Sequence, residues 1–348
     1  MTPASVDPER EVAKIFNSAI AAGAIASGWE IGLLTELKND RRVNTERFAS
    51  KHDLHVGSVQ GLVTALITVH VVEREPGLGL DLDHIVPGKL FDEAYRTKSL
   101  FHWLSLGSGD LFSRMPSVLR NENRVGDFYT RDAAAIAYAC RDINSQYWDP
   151  AFWAAMDGLD FSFSSVVDLG CGSGGRLMQI LNRYPGVTGL GIDIAVPAIK
   201  VAAADGNELG LDGKLSFLQD DVRELKYRDE FAEAELVTCF LMGHDFWPRE
   251  NCVKTLRRLR ESFPKSRRFL LGDTFRGLLD SGNSKYAVKE DDVPIFTLGF
   301  ELGHALMDVC LPTIEDWEGV FAEGGWRCVR KHFTESLALS VVFVLEHA

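Results

Sequence analysis

The chain has no C-x-x-C pair. Its six cysteines, Cys140, Cys171, Cys239, Cys252, Cys310 and Cys328, are scattered, which argues against a disulfide framework and suits reduced thiols in a cytoplasmic protein. No run approaches 18 apolar residues, and the opening MTPASVDPER has no signal-peptide core, so neither membrane spanning nor secretion is expected. Basic residues are in deficit, 37 Lys and Arg against 50 Asp and Glu. A net charge of −13 argues against a nucleic-acid partner, whose phosphates need cations to neutralise them. Repeats and low-complexity segments are also missing. What remains is ordinary globular material, 46% hydrophobic and 25% charged, and 348 residues suit two domains.

The most informative stretch is Val166–Arg176, VVDLGCGSGGR. It reads as a short apolar strand, an acid, a glycine-rich turn and the start of a helix. Glycines let backbone N–H groups approach a ligand, because no Cβ intervenes. The spacing Asp168-x-Gly170-x-Gly172-x-Gly174 is ambiguous alone, since Gly170, Gly172 and Gly175 also fit the dinucleotide pattern. A second strand, 187–194, carries Asp193 at its tip, placed to accept both hydroxyl protons of a ribose. A third, 215–219, runs into Asp220 and Asp221. A nicotinamide site needs only the middle acid. Three acidic strand ends in series resemble class I S-adenosylmethionine methyltransferases. That resemblance implies that the turn holds the methionine end, Asp193 the ribose and Asp221 the adenine side.

The N-terminal part reads as helical over 10–38, with Val12, Ile15, Phe16, Ala19 and Ile20 on one face. The run AIAAGAIASGWEIGLL is apolar nearly all round, which implies burial on more than one side, often against another subunit. Helices near 45–51 and 56–70 precede a hairpin over 71–83 that turns at Pro76-Gly77. Helix, helix, hairpin is a winged-helix pattern. Because 56–70 holds no Lys or Arg, dimerisation or a lid is expected rather than DNA binding. We place the domain boundary at 115/116. A bridge follows with His102, Trp103, Ser108, Arg124 and Arg131, then a helix over 132–147. From 165 onward strands and helices alternate, predicting a parallel sheet with helices on both faces. Strands four and five are expected at 236–242 and 268–273, with an insertion to about 311.

Strand four ends in Met242-Gly-His244-Asp245, and the insertion carries His304. Ligands of such sheets bind beyond the carboxyl ends of the strands. Two readings stay open here. His244 is a general base for an O-methyltransferase, or His244, Asp245 and His304 form a two-histidine, one-carboxylate metal site.

Several segments narrow the choice by resemblance: LFHWLSLGSGDLFSRMP, NENRVGDFYTRDAAAIAYACRDI, CFLMGHDFWPRENCVKTLRRLR and PIFTLGFELGHALMDV. They resemble the metal-dependent 2-oxo-acid C-methyltransferases of nonribosomal peptide antibiotic pathways, of the phenylpyruvate C3-methylating type. The resemblance implies S-adenosylmethionine, an iron held by His244, Asp245 and His304, and a 2-oxo-acid pocket involving Trp103, Ser108, Arg131 and Met242. It also implies a homodimer built on the N-terminal domain. Asp220 departs from the pattern, which has a small residue before the adenine-side acid.

Overall fold

The structure is a computed structural model that describes residues 7–75, 84–278, 284–334 and 340–348. The chain divides into two compact units, Met1–Ile143 and Asn144–Ala348.

The first unit opens with α1 (Pro8–Glu30) and α2 (Leu33–Asp40). Asp7 caps α1 by accepting from the Glu9 amide, and Pro8 occupies the first turn, where no amide is needed. The single helix expected over 10–38 is two helices bent by 72°. Gly32 between them takes a left-handed φ of 83°. The small-residue run packs Ala24, Ile25, Trp29, Leu33 and Leu34 into the unit's core. The stripe Val12, Ile15, Phe16 and Ile20, by contrast, is 59–72% exposed. Among the described residues no single helix is long and apolar enough to cross a membrane.

Strand β1 (Val43–Asn44), α3 (Thr45–Lys51), α4 (Val56–Thr68), β2 (Val72–Arg74) and β3 (His84–Pro87) follow. The strands pair antiparallel in the order β1-β3-β2. The winged-helix pattern is therefore present, while its expected turn at 76–77 lies outside the described residues. Next come α5 (Phe91–Arg96), α6 (Lys98–His102), a π turn at Trp103–Gly107, α7 (Gly109–Ser113) and α8 (Met115–Val118). Helix α9 (Ala133–Ile143) packs on α6 and the π turn, so residues 116–143 cluster with the first unit. The helix expected over 132–147 stops at Ile143 and widens into a second π turn, Asn144–Trp148.

The second unit begins with α10 (Asp149–Asp157) and continues β4 (Ser165–Leu169), α11 (Gly175–Arg183), β5 (Thr188–Asp193), α12 (Val196–Glu208), β6 (Leu215–Gln219) and β7 (Leu236–Phe240). Then come α13 (Arg249–Ser262), β8 (Arg268–Thr274), α14 (Thr297–Leu306), α15 (Ile314–Phe321), β9 (Trp326–Phe333) and β10 (Ser340–His347). The sheet runs β6-β5-β4-β7-β8-β10-β9, parallel except for β10, which is antiparallel to both neighbours. Strands covered on both faces read as near-continuous apolar runs, and β8 and β10 do so. Phe269, Leu271, Trp317, Trp326 and Phe343 fill the layer between sheet and helices. Truncating Phe269 to alanine there costs about 3–5 kcal/mol.

This order places the site. The chain steps outward from β4 to β6, returns, and steps the other way from β7 to β8. The carboxyl ends of β4 and β7 therefore flank a topological switch point, where open sheets of this kind take ligands.

Candidate functional site

The glycine turn follows β4. Gly170, Gly172 and Gly174 have φ of 66°, 52° and 74°, left-handed values that suit glycine. At Gly170 a Cβ would also lie 2.5 Å from the Met242 sulfur, so Met242 caps the turn from the end of β7. The Gly170 and Cys171 amides bond Ile192 O at 2.8 and 3.1 Å, tying the turn to β5. Asp193 finishes that tie: one carboxylate oxygen accepts from Gly172 N and the other from Ala195 N, both at 2.8 Å.

Asp168 is buried below the turn and accepts from Thr238 Oγ1 at 2.5 Å. Burial pushes its carboxyl up to about 6, against the Thr238 hydrogen bond and the positive charge of Arg176. Asp221 caps the turn after β6 and is gripped by Arg223, whose Nε and Nη2 donate at 3.0 and 2.8 Å. That hydrogen bonding holds its carboxyl below the usual range. Asp220 takes Arg228 at 2.5 Å, so the departure from the small residue is absorbed by an ion pair.

Beyond β7 a tight turn, Gly243–Phe246, presents His244. Both the backbone amide and the ring Nδ1 of His244 meet the carboxylate of Asp273, at 2.6 and 2.9 Å. Gly243 makes this approach feasible, since a Cβ there would sit 2.9 Å from Asp273 Oδ2. His304 enters from α14 with Nδ1 donating to the Phe300 carbonyl at 2.7 Å. A carbonyl only accepts, so that nitrogen carries the proton. The two rings stand perpendicular, centroids 5.0 Å apart. Phe300 lies against His304 with centroids 4.0 Å apart and planes tilted by 43°, and meets His244 edge-on at 6.1 Å. With Nδ1 of each ring engaged, an imidazole in its neutral form would carry its lone pair on Nε2.

Two of the three expected metal ligands are thus brought together. Asp245 is exposed, in the electric field it shares with Arg223. Among the described residues no group of three or more His, Cys, Asp or Glu side chains gathers to hold a metal ion. The paired imidazoles have the chemistry of metal ligands, with a carboxylate and a carbonyl behind them. Asp245, the carboxylate expected to complete the set, is not grouped with them among the described residues.

Trp103, Ser108 and Arg131 belong to the first unit. Trp103 is buried in the π turn, Ser108 is buried with its hydroxyl unpartnered among the described residues, and Arg131 is half-buried ahead of α9. Sequence reasoning did not single out Asp273 or Thr238. Their only signal was position, on strands that end at the switch point.

A family model described as a methyltransferase domain matches residues 166–263. The chain is 61% identical over 342 residues to methyltransferase ungE' of Aspergillus campestris, covering 98% of each chain. It is 26% identical over 346 residues to an indolepyruvate C-methyltransferase of Streptomyces griseus, covering 96% of this chain and 94% of that one. Human N-acetylserotonin methyltransferase, solved with S-adenosylmethionine, has the same fold, with a TM-score of 0.69 over 100% of both chains at 15% identity.

Proposed function

Because the chain belongs to the S-adenosylmethionine-dependent methyltransferases, we propose that it methylates the β-carbon of a 2-oxo acid, with His244 as general base. The observation that carries this reading is the His244–Asp273 pair at the switch point. A buried carboxylate fixes the imidazole tautomer and stabilises the imidazolium that forms when Nε2 takes a proton. A β-proton of a 2-oxo acid is acidified by the adjacent carbonyl. His244 removes it, and the C–H pair moves into the enolate, leaving negative charge on oxygen. The β-carbon then attacks the sulfonium methyl. The sulfur–methyl bond breaks, sulfur keeps its electron pair, and the imidazolium returns its proton to water. The fold's contribution to the transfer itself is positioning of carbon, methyl and sulfur in line.

Two further observations support the acceptor class. The near-full-length relative from Streptomyces griseus acts, by its name, on indolepyruvate. Phe300, tilted against His304 and edge-on to His244, gives the histidine pair an aromatic neighbour, which suits phenylpyruvate or indolepyruvate.

A second reading has its own support in the paired rings. Iron held by His244 and His304, with Asp245 as carboxylate, would supply Lewis-acid charge to the enolate oxygen. Asp245 does not stand with the two rings, so the steps above do not depend on it.

Incubation with methyl-labelled S-adenosylmethionine and phenylpyruvate, indolepyruvate, an aliphatic 2-oxo acid and a simple phenol, read by mass spectrometry, tests the proposal. One methyl on C3 of an aromatic 2-oxo acid is the expected product. Transfer to the phenol alone would instead make the pair an O-methylating base.

A further inference from the structure

Helix α14 carries both His304 and Phe300, and both rings meet His244. Within the second unit no helix or strand packs extensively along α14 among the described residues. The chain enters and leaves the helix through strained backbone: Phe296 before it has a φ of 81°, and Asp308 after it a φ of 66°. A bulky side chain disfavours that region and stays there only where the surroundings enforce it. The position of α14 therefore depends on a few specific ties. One of them is Glu301, half-buried in the turn of helix just before His304. Its Oε1 accepts from two successive amides, Gly277 N at 2.6 Å and Leu278 N at 3.0 Å. Bonds from backbone amides to a carboxylate are among the stronger ones a protein makes.

Those two amides are themselves fixed. They lie just beyond the end of β8, past Phe275, which is buried against Phe343. The Gly277 carbonyl accepts from Val288 N at 2.8 Å, and Arg276 N donates to Pro312 O at 3.0 Å. The same strand carries Asp273, which grips the turn of His244. One stretch of chain, 273–278, thus holds His244 by an acid and the helix of His304 by two amides. We propose that Glu301 is a positioning residue for the acceptor. Through Gly277 and Leu278 it locks α14 to the end of β8, and so sets His304 and Phe300 against His244. The inference rests on the reading that the histidine pair takes the acceptor.

The test compares full-length Glu301→Ala, Glu301→Asp and Glu301→Gln with the wild type. The readouts are amide hydrogen exchange, steady-state kinetics with phenylpyruvate and indolepyruvate, and calorimetric titration with S-adenosylhomocysteine. Alanine deletes the accepting oxygen, aspartate draws it back by one methylene, and glutamine keeps an oxygen in place. The first two are expected to speed exchange of the α14 amides at least about tenfold. They should raise the acceptor KM about tenfold and lower kcat less than about threefold, since the His244–Asp273 pair is untouched. Glu301→Gln is expected to bring exchange and KM back to within about threefold of the wild type. The Kd for S-adenosylhomocysteine should change less than about twofold in all three. Unchanged α14 exchange in Glu301→Ala, faster exchange with an unchanged KM, a glutamine variant no better than alanine, or a Kd that weakens in step with KM would each overturn the proposal. If Glu301→Ala does not fold, Glu301→Asp against Glu301→Gln makes the same comparison. A wild type that methylates none of the acceptors in the panel above removes the 2-oxo-acid reading; α14 exchange, which needs no acceptor, then decides whether Glu301 locks the helix.

Discussion

His244 directs both its main-chain amide and its ring Nδ1 at one carboxylate, that of Asp273, which is itself buried and also accepts from Thr274 N at 2.8 Å. The acid therefore fixes the position of the turn and the tautomer of the ring together. Asp273→Asn preserves shape but removes the charge that stabilises the imidazolium. It is expected to lower kcat by about 10²–10⁴-fold while leaving the Kd for S-adenosylhomocysteine within a few-fold. Turnover and calorimetry on the same preparation check this, and a variant with full turnover would remove Asp273 from the mechanism.

Asp168 joins stability to cofactor binding. Its carboxyl is raised from the ordinary 3.8 to about 6, so the folded chain holds that proton more tightly than the unfolded chain. The associated stabilisation is complete below about pH 4 and is lost as pH rises through about 6. Above that, keeping the ionised group buried costs about 3 kcal/mol in the cofactor-free chain. Asp168→Asn is expected to raise Tm at pH 8 and to have little effect near pH 4. It should weaken S-adenosylmethionine binding at pH 8, because the negative charge near the amino-acid end is gone. Thermal unfolding across pH, with and without cofactor, gives both readouts.

Much of this was legible in local spacing, and the remainder depended on contacts between distant strands. The glycine turn and the strand-end acids Asp193 and Asp221 announce themselves because turn geometry and acid placement are local properties. His244 and His304 stood out as rare side chains near a strand end and in an insertion. Asp273 did not, because what sets it apart is its contact with His244, made across the sheet from 29 residues away. Arg176 read as the first turn of a helix, and only packing of Phe152 and Phe240 shows its burial. The outward stripe on α1 was equally hidden, since helical periodicity identifies an apolar face without identifying what covers it.

The acids of β5 and β6 should differ in importance. Asp193 holds the main-chain amides of Gly172 and Ala195, and its removal leaves both unsatisfied as well as deleting the ribose acceptor expected from the family resemblance. Asp221 is already paired with Arg223 at the surface. Asp193→Ala is expected to raise the Kd for S-adenosylhomocysteine by about 100-fold, and Asp221→Ala by about tenfold. Equal effects would mean that Asp193 does not organise the turn.

The two histidines offer a sharp comparison. With His244 as the base and Asp245 apart from the pair, protein dialysed against a chelator should keep at least about a tenth of its transfer rate, and His304→Ala should be milder than His244→Ala. Elemental analysis accompanies the assay. Transfer that stops on chelation and returns with ferrous iron would assign the pair to a metal, with Asp245 turning in as the third ligand.

The exposed stripe on α1 bears on assembly. Val12, Ile15, Phe16 and Ile20 present adjacent apolar side chains, and a monomer gains nothing from keeping them in water. A second copy of the chain, burying this stripe against its own N-terminal unit, is the assembly we propose. Ile15→Glu with Phe16→Glu places two charges in that contact. The double variant is expected to run as a monomer by light scattering at micromolar concentration where the wild type runs as a dimer. Its Kd for S-adenosylhomocysteine should be unchanged, because the glycine turn, Asp193 and Asp221 all lie in the second unit. A wild-type chain that scatters as a monomer, or a double variant that remains a dimer, would rule out this stripe as the contact.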